Sequence, residues 1–233
     1  MTPILELQDL SFRYEGGLPG EKVLDALTFA VAPGERVGLV GCNGVGKSTL
    51  LKVLVGILPI QAGALTVGGL PMERKNLAEI RRKVGYIFQD SDSQLFMPTV
   101  RADVAFAAEN YGYPPEEVAA RTRRALAAVH MEHCADRPVY RLSGGQKKLA
   151  SIAGILTLDP ALILMDEPSA ALDPRNRRAL IGILNALPCA KLIASHDLDF
   201  IYDTCDRVLL LHHGQLAADG PAREILRDKA LLE

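Results

Sequence analysis

A chain of 233 residues is long enough to bury a substantial core in one large domain or two small lobes. Its 26 basic and 28 acidic side chains leave a net charge of −2, which carries neither the footprint of a nucleic-acid binder nor a polybasic membrane patch. No apolar run approaches the ~18–20 residues of a membrane span, and the start MTPILELQDL lacks the basic region of a secretory signal. Cys42, Cys134, Cys189 and Cys205 are scattered without C-x-x-C spacing, as free thiols of a reducing compartment are.

In chain order, ILELQDLSFRY alternates apolar and polar residues as a half-buried strand does, and EGGLPGE interrupts it with Gly and Pro. VLDALTFAV and ERVGLVG (Glu35 to Gly41) predict two further strands around Pro33-Gly34, and TLLKVLVGI (Thr49 to Ile57) has apolar residues at helical spacing. ALTVGG (Ala64 to Gly69) predicts a short strand, LAEIRRK a helical turn, and VGYIFQD a strand ending at Gln89. From Thr99 to His130 the pattern is helical and Ala-rich, broken at GYPP, and another helix is predicted to start near Ser143. ALILMDEP, KLIASH and RVLLLHH read as strands, with helices after Pro174 and from Leu198 to Tyr202. Strands alternating with helices predict an α/β fold with a mixed or parallel sheet, an N-terminal antiparallel β part and an inserted helical lobe, and the phosphate-binding pattern of Gly41 to Thr49 between a strand and a helix makes its core a P-loop nucleotide-binding one. A single domain spanning residues 2–233 is expected, its core at about 2–89 and 160–233 and its helical lobe at about 90–159.

Between the strand ERVGLVG and the helix that follows, GCNGVGKST fits the phosphate-binding pattern G-x-x-x-x-G-K-[ST] at every fixed position. Gly41, Cys42, Asn43, Gly44, Val45 and Gly46 form a loop whose backbone N–H groups can wrap a polyphosphate, with Lys47 reaching the β- and γ-phosphates and Ser48 and Thr49 opening the helix. Ser48 offers its hydroxyl to Mg²⁺, so ATP and Mg²⁺ are the expected ligands. The run LILM ends in Asp166 and Glu167, two carboxylates at the end of a buried strand, where ligands gather in an open parallel sheet. Asp166 is assigned to the metal and Glu167 to the attacking water. LSGGQ (Leu142 to Gln146) precedes a helix with Ser143 as a good N-cap, making a second anion site at a helix start. HMEHC (His130 to Cys134) reads as a solvated helix end, since the sequence specifies no complete ligand set, and His212 and His213 read as strand-end residues.

GCNGVGKST, LSGGQ, LILMDEP, the stretch SAALD (Ser169 to Asp173) and a lone His196 after KLIAS, in that order, resemble the nucleotide-binding subunit of ABC transporters over nearly the whole chain. The resemblance implies a head-to-tail dimer, either a homodimer or a pair with a second ABC ATPase, sandwiching two ATP. Ser143, Gly144, Gly145 and Gln146 of one subunit would then close over ATP on the other's phosphate loop. It further implies that Gln89 senses the γ-phosphate and contacts Mg²⁺, that His196 touches the γ-phosphate, that Asp173 supports the subunit interface and that Tyr14 stacks on adenine. Cys42 stands where the family has proline, and Ala170-Ala171 where it has a polar residue and Gly. A thiol in a phosphate loop at a positive helix end is expected to be reactive.

Phe88 to Phe106, FQDSDSQLFMPTVRADVAF, is similar to the segment after the Q-loop in energy-coupling-factor importers, with Ser91 in place of a proline, and LSGGQKKLASIAGIL resembles their cobalt and nickel subclass. What this implies is an ATPase that powers import of cobalt or nickel ions from the cytoplasmic face of the cell membrane, as a peripheral subunit. Its partners would be an integral membrane coupling protein and a substrate-capturing membrane protein, with no nucleic acid. Gln94, Leu95, Phe96 and Asp103 would transmit the motion, with Leu95, Phe96 and Met97 an exposed apolar patch. About 13 residues after Gly220-Pro221 leave no room for a regulatory domain. The alternatives are another ABC transporter, a vitamin importer or exporter, and a non-transport ABC ATPase.

Overall fold

The computed structural model describes residues 2–16 and 22–228. Most of the Gly/Pro interruption, residues 17–21, and the end of the C-terminal segment, residues 229–233, lie outside the described residues.

Among the described residues the strands form two sheets. β1 (Leu5–Phe12), β2 (Leu24–Val31), β4 (Ala62–Val67) and β5 (Leu70–Pro71) make an antiparallel sheet in the order β2-β1-β4-β5. In β1 the inward side chains are Leu5, Leu7, Leu10 and Phe12, a pattern that skips a beat after Leu7. A bulge at Asp9, whose φ is 51°, shifts the register between Leu7 and Leu10, so alternation resumes with the same face inward. Thr28 Oγ1 accepts the N–H of Asp9 at 2.9 Å and Ser11 Oγ that of Ala26 at 2.9 Å, pairing donors that the irregular ladder would orphan.

The second sheet runs β10-β9-β3-β8-β7-β6, built from β3 (Arg36–Val40), β6 (Val84–Ile87), β7 (Leu162–Asp166), β8 (Ala190–Ala194), β9 (Arg207–His212) and β10 (Gln215–Pro221). All its pairings are parallel except β9 with β10. β7 and β8 are buried at every residue, and the alternation of the strand divides them between two cores. Leu162, Leu164 and Leu192 pack toward the antiparallel sheet and α1 (Lys47–Leu54), whereas Ile163, Met165 and Ile193 pack on the helices of the other face. Those helices include α3 (Val100–Asn110), α4 (Pro115–Ala128), α5 (Gly144–Leu156), α6 (Pro174–Ala186) and α7 (Leu198–Thr204). α2 (Leu77–Lys83) precedes β6, and α8 (Ala222–Ile225) follows β10.

Helix starts follow local chemistry. Thr99, Ser143, Asp173 and Asp197 each accept a backbone N–H from the first turn of α3, α5, α6 and α7, and Pro115 and Pro174 occupy the first positions of α4 and α6. Several boundaries differ from the sequence expectation. β6 stops at Ile87, so Gln89 lies beyond the strand rather than at its end. β10 and α8 were not anticipated, because QLAADGP alternates half-buried with exposed residues and carries no apolar run. Leu95 is buried in the core rather than exposed, Met97 is half-buried, and of the expected patch Phe96 alone stands out, 64% exposed. The Asx turn at Asp90 starts a 3-10 turn over Ser91–Ser93 that swings Leu95 inward. No helix among the described residues is long and apolar enough to cross a membrane.

Candidate functional site

The order β3-β8-β7 brings three strand ends side by side along the carboxyl edge of the parallel sheet. The loop Gly41–Gly46 follows β3, Asp166 and Glu167 end β7, and Ser195 and His196 follow β8. These ends surround an open cleft of about 390 Å³ lined by Asn43, Gly44, Gly46, Lys47, Ser48, Thr49, Gln89, Glu167 and His196.

The loop is built for close backbone approach. Gly44 has φ 81° and Gly46 φ 111°, and a Cβ on Gly46 would lie 2.8 Å from the carbonyl oxygen of Val23, so only glycine fits that position. Lys47, 6% exposed, donates to the carbonyl oxygens of Gly41 (2.6 Å) and Cys42 (3.2 Å), which aims its ammonium along the loop. Cys42 and Asn43 are exposed, and Val45 is half-buried against the core.

Ser48 Oγ donates to Asp166 Oδ1 at 3.0 Å, joining the loop to the end of β7. Burial pushes the Asp166 carboxyl above its ordinary range, the Ser48 hydrogen bond opposes this, and the neighbouring Glu167 adds to it. A hard cation at this point would relieve that cost. Ser48, Asp166 and Gln89 are oxygen donors of the kind Mg²⁺ takes, so the residues present fit a metal-bound polyphosphate.

Glu167 adopts a left-handed conformation with φ 47°, and its N–H donates to the carbonyl oxygen of Ala194 at 2.8 Å. Its carboxylate accepts from Ser195 Oγ (2.9 Å) and from the backbone N–H of His196 (3.1 Å), and His196 Nδ1 lies 3.0 Å from Oε2. Thus the carboxylate is 7% exposed as a residue yet fixed by three groups from the end of β8. Ser195 is fully buried and also accepts the N–H of Asp197 at 3.1 Å. Sequence reasoning passed over Ser195; its position between an apolar strand and a histidine was the available signal.

Gln89 reaches the cleft from an exposed backbone whose neighbours are tied down from beneath. Lys148, on α5 and 3% exposed, donates to the carbonyl oxygens of Phe88 (2.8 Å) and Gln89 (2.9 Å). Desolvation lowers its pKa to about 8, opposed by the charges of Asp90 and Asp166. Asp103, also buried, accepts the N–H groups of Phe96 (2.8 Å) and Met97 (2.7 Å), and Gln94 Oε1 accepts that of Phe88 at 3.3 Å. Phe96 packs edge-on against Phe106, their ring centroids 4.8 Å apart.

The structure does not bring all expected residues together. Tyr14 stands beside the loop, 45% exposed, with its hydroxyl 3.1 Å from Thr49 Oγ1 and its ring edge-on to Phe12. Ser143, Gly144, Gly145 and Gln146 do not line the cleft. Ser143 and Gln146 form a capping box, each accepting the other's backbone N–H, so the start of α5 is self-capped. Gly145 faces Asn176, and a Cβ there would lie 2.6 Å from Asn176 Cγ. Asn176 is held by Asp173, which accepts its backbone N–H at 2.8 Å and its Nδ2 at 2.6 Å, so Asp173 buttresses the LSGGQ turn. Cys134 is buried, its sulfur 3.7 Å from Gln146 Nε2, and no group of three or more metal-ligating side chains gathers among the described residues.

A parallel sheet flanked by an antiparallel one, with a phosphate loop, a Ser-Asp bridge and a glutamate locked to a histidine, defines a P-loop ATPase of the ATP-binding-cassette class. Comparison with known proteins gives the family. The ABC transporter family model matches residues 24–170, and this chain belongs to that family, whose members are ATPases coupled to transport. An ABC transporter ATP-binding protein of Geobacter sulfurreducens is 45% identical over 98% of this chain and 91% of its own length. The energy-coupling factor transporter ATP-binding protein EcfA of Methanocaldococcus jannaschii is 41% identical over 97% of this chain and 81% of its own length. The structure of CbiO1 from Clostridium perfringens, described as part of the ABC transporter complex cbiONQ, superposes with a TM-score of 0.89 at 34% identity, covering 98% of this chain and 92% of that one.

Proposed function

We propose that this chain is the ATP-hydrolysing subunit of an energy-coupling-factor importer for cobalt or nickel ions, acting as one ABC ATPase domain at the cytoplasmic face of the cell membrane. The observation that carries the hydrolytic part is Glu167, held over the phosphate loop by Ser195 and His196. The backbone N–H groups of Gly44 to Ser48, with Lys47, hold the β- and γ-phosphates. Ser48, Asp166 and Gln89 hold Mg²⁺, which supplies neutralisation of the phosphate charge when bound. Glu167 orients the attacking water, and Ser195 keeps its carboxylate from swinging into Asp166. His196, with a side chain 62% exposed, turns from Glu167 to the γ-phosphate. Tyr14 takes the adenine ring.

LSGGQ lies outside the cleft of its own chain, which supports its serving the nucleotide of a second subunit, in a homodimer or with another ABC ATPase. Asp173 steadies that contact through Asn176. The groove under Phe96, about 210 Å³ and lined by Arg81, Arg82, Gln94, Phe106 and Ile155 among others, is where a coupling segment of the integral membrane partner docks. The importer class rests on the segment Phe88 to Phe106, and the ion specificity on the resemblance of LSGGQKKLASIAGIL to the cobalt and nickel subclass.

A mild-detergent pull-down of the tagged chain from its own membranes tests the reading. Recovery of a coupling membrane protein with a small substrate-capturing one is expected, with ATPase activity stimulated by cobalt or nickel transport in vesicles. Recovery of large multi-span permeases would contradict it in favour of another ABC class, and recovery of no membrane protein in favour of a non-transport ATPase.

A further inference from the structure

Lys148 is a costly residue for its position. Among the described residues it is one of few buried ammonium groups, at 3% exposure, and its contacts are two successive backbone carbonyl oxygens rather than a carboxylate. Burying a charge against neutral acceptors is a poor way to stabilise a fold, and an apolar side chain of that length would pack at less cost. What the arrangement does achieve is position. The chain leaves β6 at Ile87, and the carbonyl groups of Phe88 and Gln89 both turn onto one ammonium. The same segment is gripped from α5 twice more, by Lys147 on Asp92 (2.5 Å) and by the carbonyl oxygen of Ser151, which accepts from Gln94 Nε2 at 3.5 Å. The Lys147–Asp92 pair is half-exposed and contributes little, so Lys148 is the firm contact.

Lys148 sits on the helix that begins at LSGGQ. Ser143 caps α5 and Lys148 follows by little more than one turn, about 7–8 Å along the axis at the standard rise. One short rigid element therefore carries the signature turn at its tip and the clamp on Gln89 little more than a turn behind it. From this geometry we infer that Lys148 is a positioning residue: when Ser143 engages the nucleotide of the partner subunit, Lys148 carries that shift into Gln89 of its own cleft. The inference rests on the paired-subunit reading above. In that pair each cleft is informed, through its own α5, of whether the other has been closed, and hydrolysis awaits both.

The test uses the full chain with ATP and Mg²⁺. In the Glu167→Gln background, ATP-driven pairing followed by light scattering should occur at the same ATP concentration, within about threefold, with or without Lys148→Met, because the signature turn is untouched. With Glu167 intact, Lys148→Met should lower kcat on the order of tenfold at little change in KM, a misplacement effect, and Lys148→Arg should recover most of the loss. Gln89→Ala should do the same as Lys148→Met, and the two together should be no worse than about twofold below either alone, since both act through one group. A kcat for Lys148→Met within twofold of the unchanged chain overturns the inference, as does an additive loss in the double variant. Should Lys148→Met not fold, Lys148→Gln, too short to hold both carbonyl groups, combined with Gln89→Ala asks the same question of additivity. If the Glu167→Gln chain never pairs with ATP, the pairing of two copies of this chain, on which this inference rests, fails first and the inference with it; if it pairs and the Lys148 kinetics are unchanged, only the role of Lys148 is lost.

Discussion

Two helix starts in this protein carry the sequence marks of a phosphate site, and they are made differently. The start of α1 is enclosed: its lysine is buried, its glycines have positive φ, its Ser48 is bonded to Asp166, and it faces Glu167 and His196 across a cleft. The start of α5 is open, with Ser143 and Gly144 exposed and its first donors partly taken by its own capping box. The first is a site with walls; the second is a surface with one good edge. On the proposed reading a chain carrying both would be complementary to a second ATPase of the same kind, and that difference is the basis for assigning chemistry to the first and closure to the second.

The comparison breaks most visibly if the enclosed site is disabled. Glu167→Gln should reduce ATP turnover by on the order of a hundredfold or more while leaving nucleotide affinity nearly unchanged, measured by phosphate release beside a fluorescent-nucleotide titration. Gly145→Ala acts at the open site. Its Cβ would press on Asn176, so ATP should still bind to the phosphate loop while steady-state hydrolysis falls about tenfold to a hundredfold; equal loss of binding would merge the two sites into one. Ser195→Ala removes a donor to Glu167 without touching nucleotide, and kcat should fall about tenfold at constant KM. Tyr14→Phe keeps the ring and loses the contact to Thr49, for a change in ATP affinity of about twofold to fivefold, whereas Tyr14→Ala should cost the ~1–3 kcal/mol of a stacked base. Smallest is the effect of nucleotide on Cys42: exposed in the loop, its thiol should be alkylated more slowly with ATP present, and equal rates would place the phosphates elsewhere.

Much of this was legible in the sequence because backbone chemistry wrote it there. Gly41 to Thr49 announces a phosphate loop because its glycines answer to torsion angles, and LILM before Asp166 announces a buried strand because both faces of β7 must be apolar. The chain order of motifs did not show which strand ends meet; that came from β8 lying between β3 and β7. Ser195 was missed because a serine after a strand is an ordinary turn residue until Glu167 is seen to need its hydroxyl. Lys148 was missed because a lysine in an amphipathic helix reads as solvent-facing, and only the bend of the chain after Ile87 turns two carbonyl groups toward it. Leu95 was placed outside for the converse reason, since an apolar residue between Gln94 and Phe96 gives no hint of the 3-10 turn that buries it.

The central claim, in its homodimer form, is that the two helix starts belong to one reaction only when two copies of this chain meet. Light scattering of the Glu167→Gln chain with and without ATP tests it most directly. The account predicts a mass near 25.2 kDa without nucleotide and about twice that at saturating ATP, the shift being lost in Gly145→Ala. A chain that binds ATP and stays at 25.2 kDa, or one that pairs equally well without its signature glycine, would contradict it.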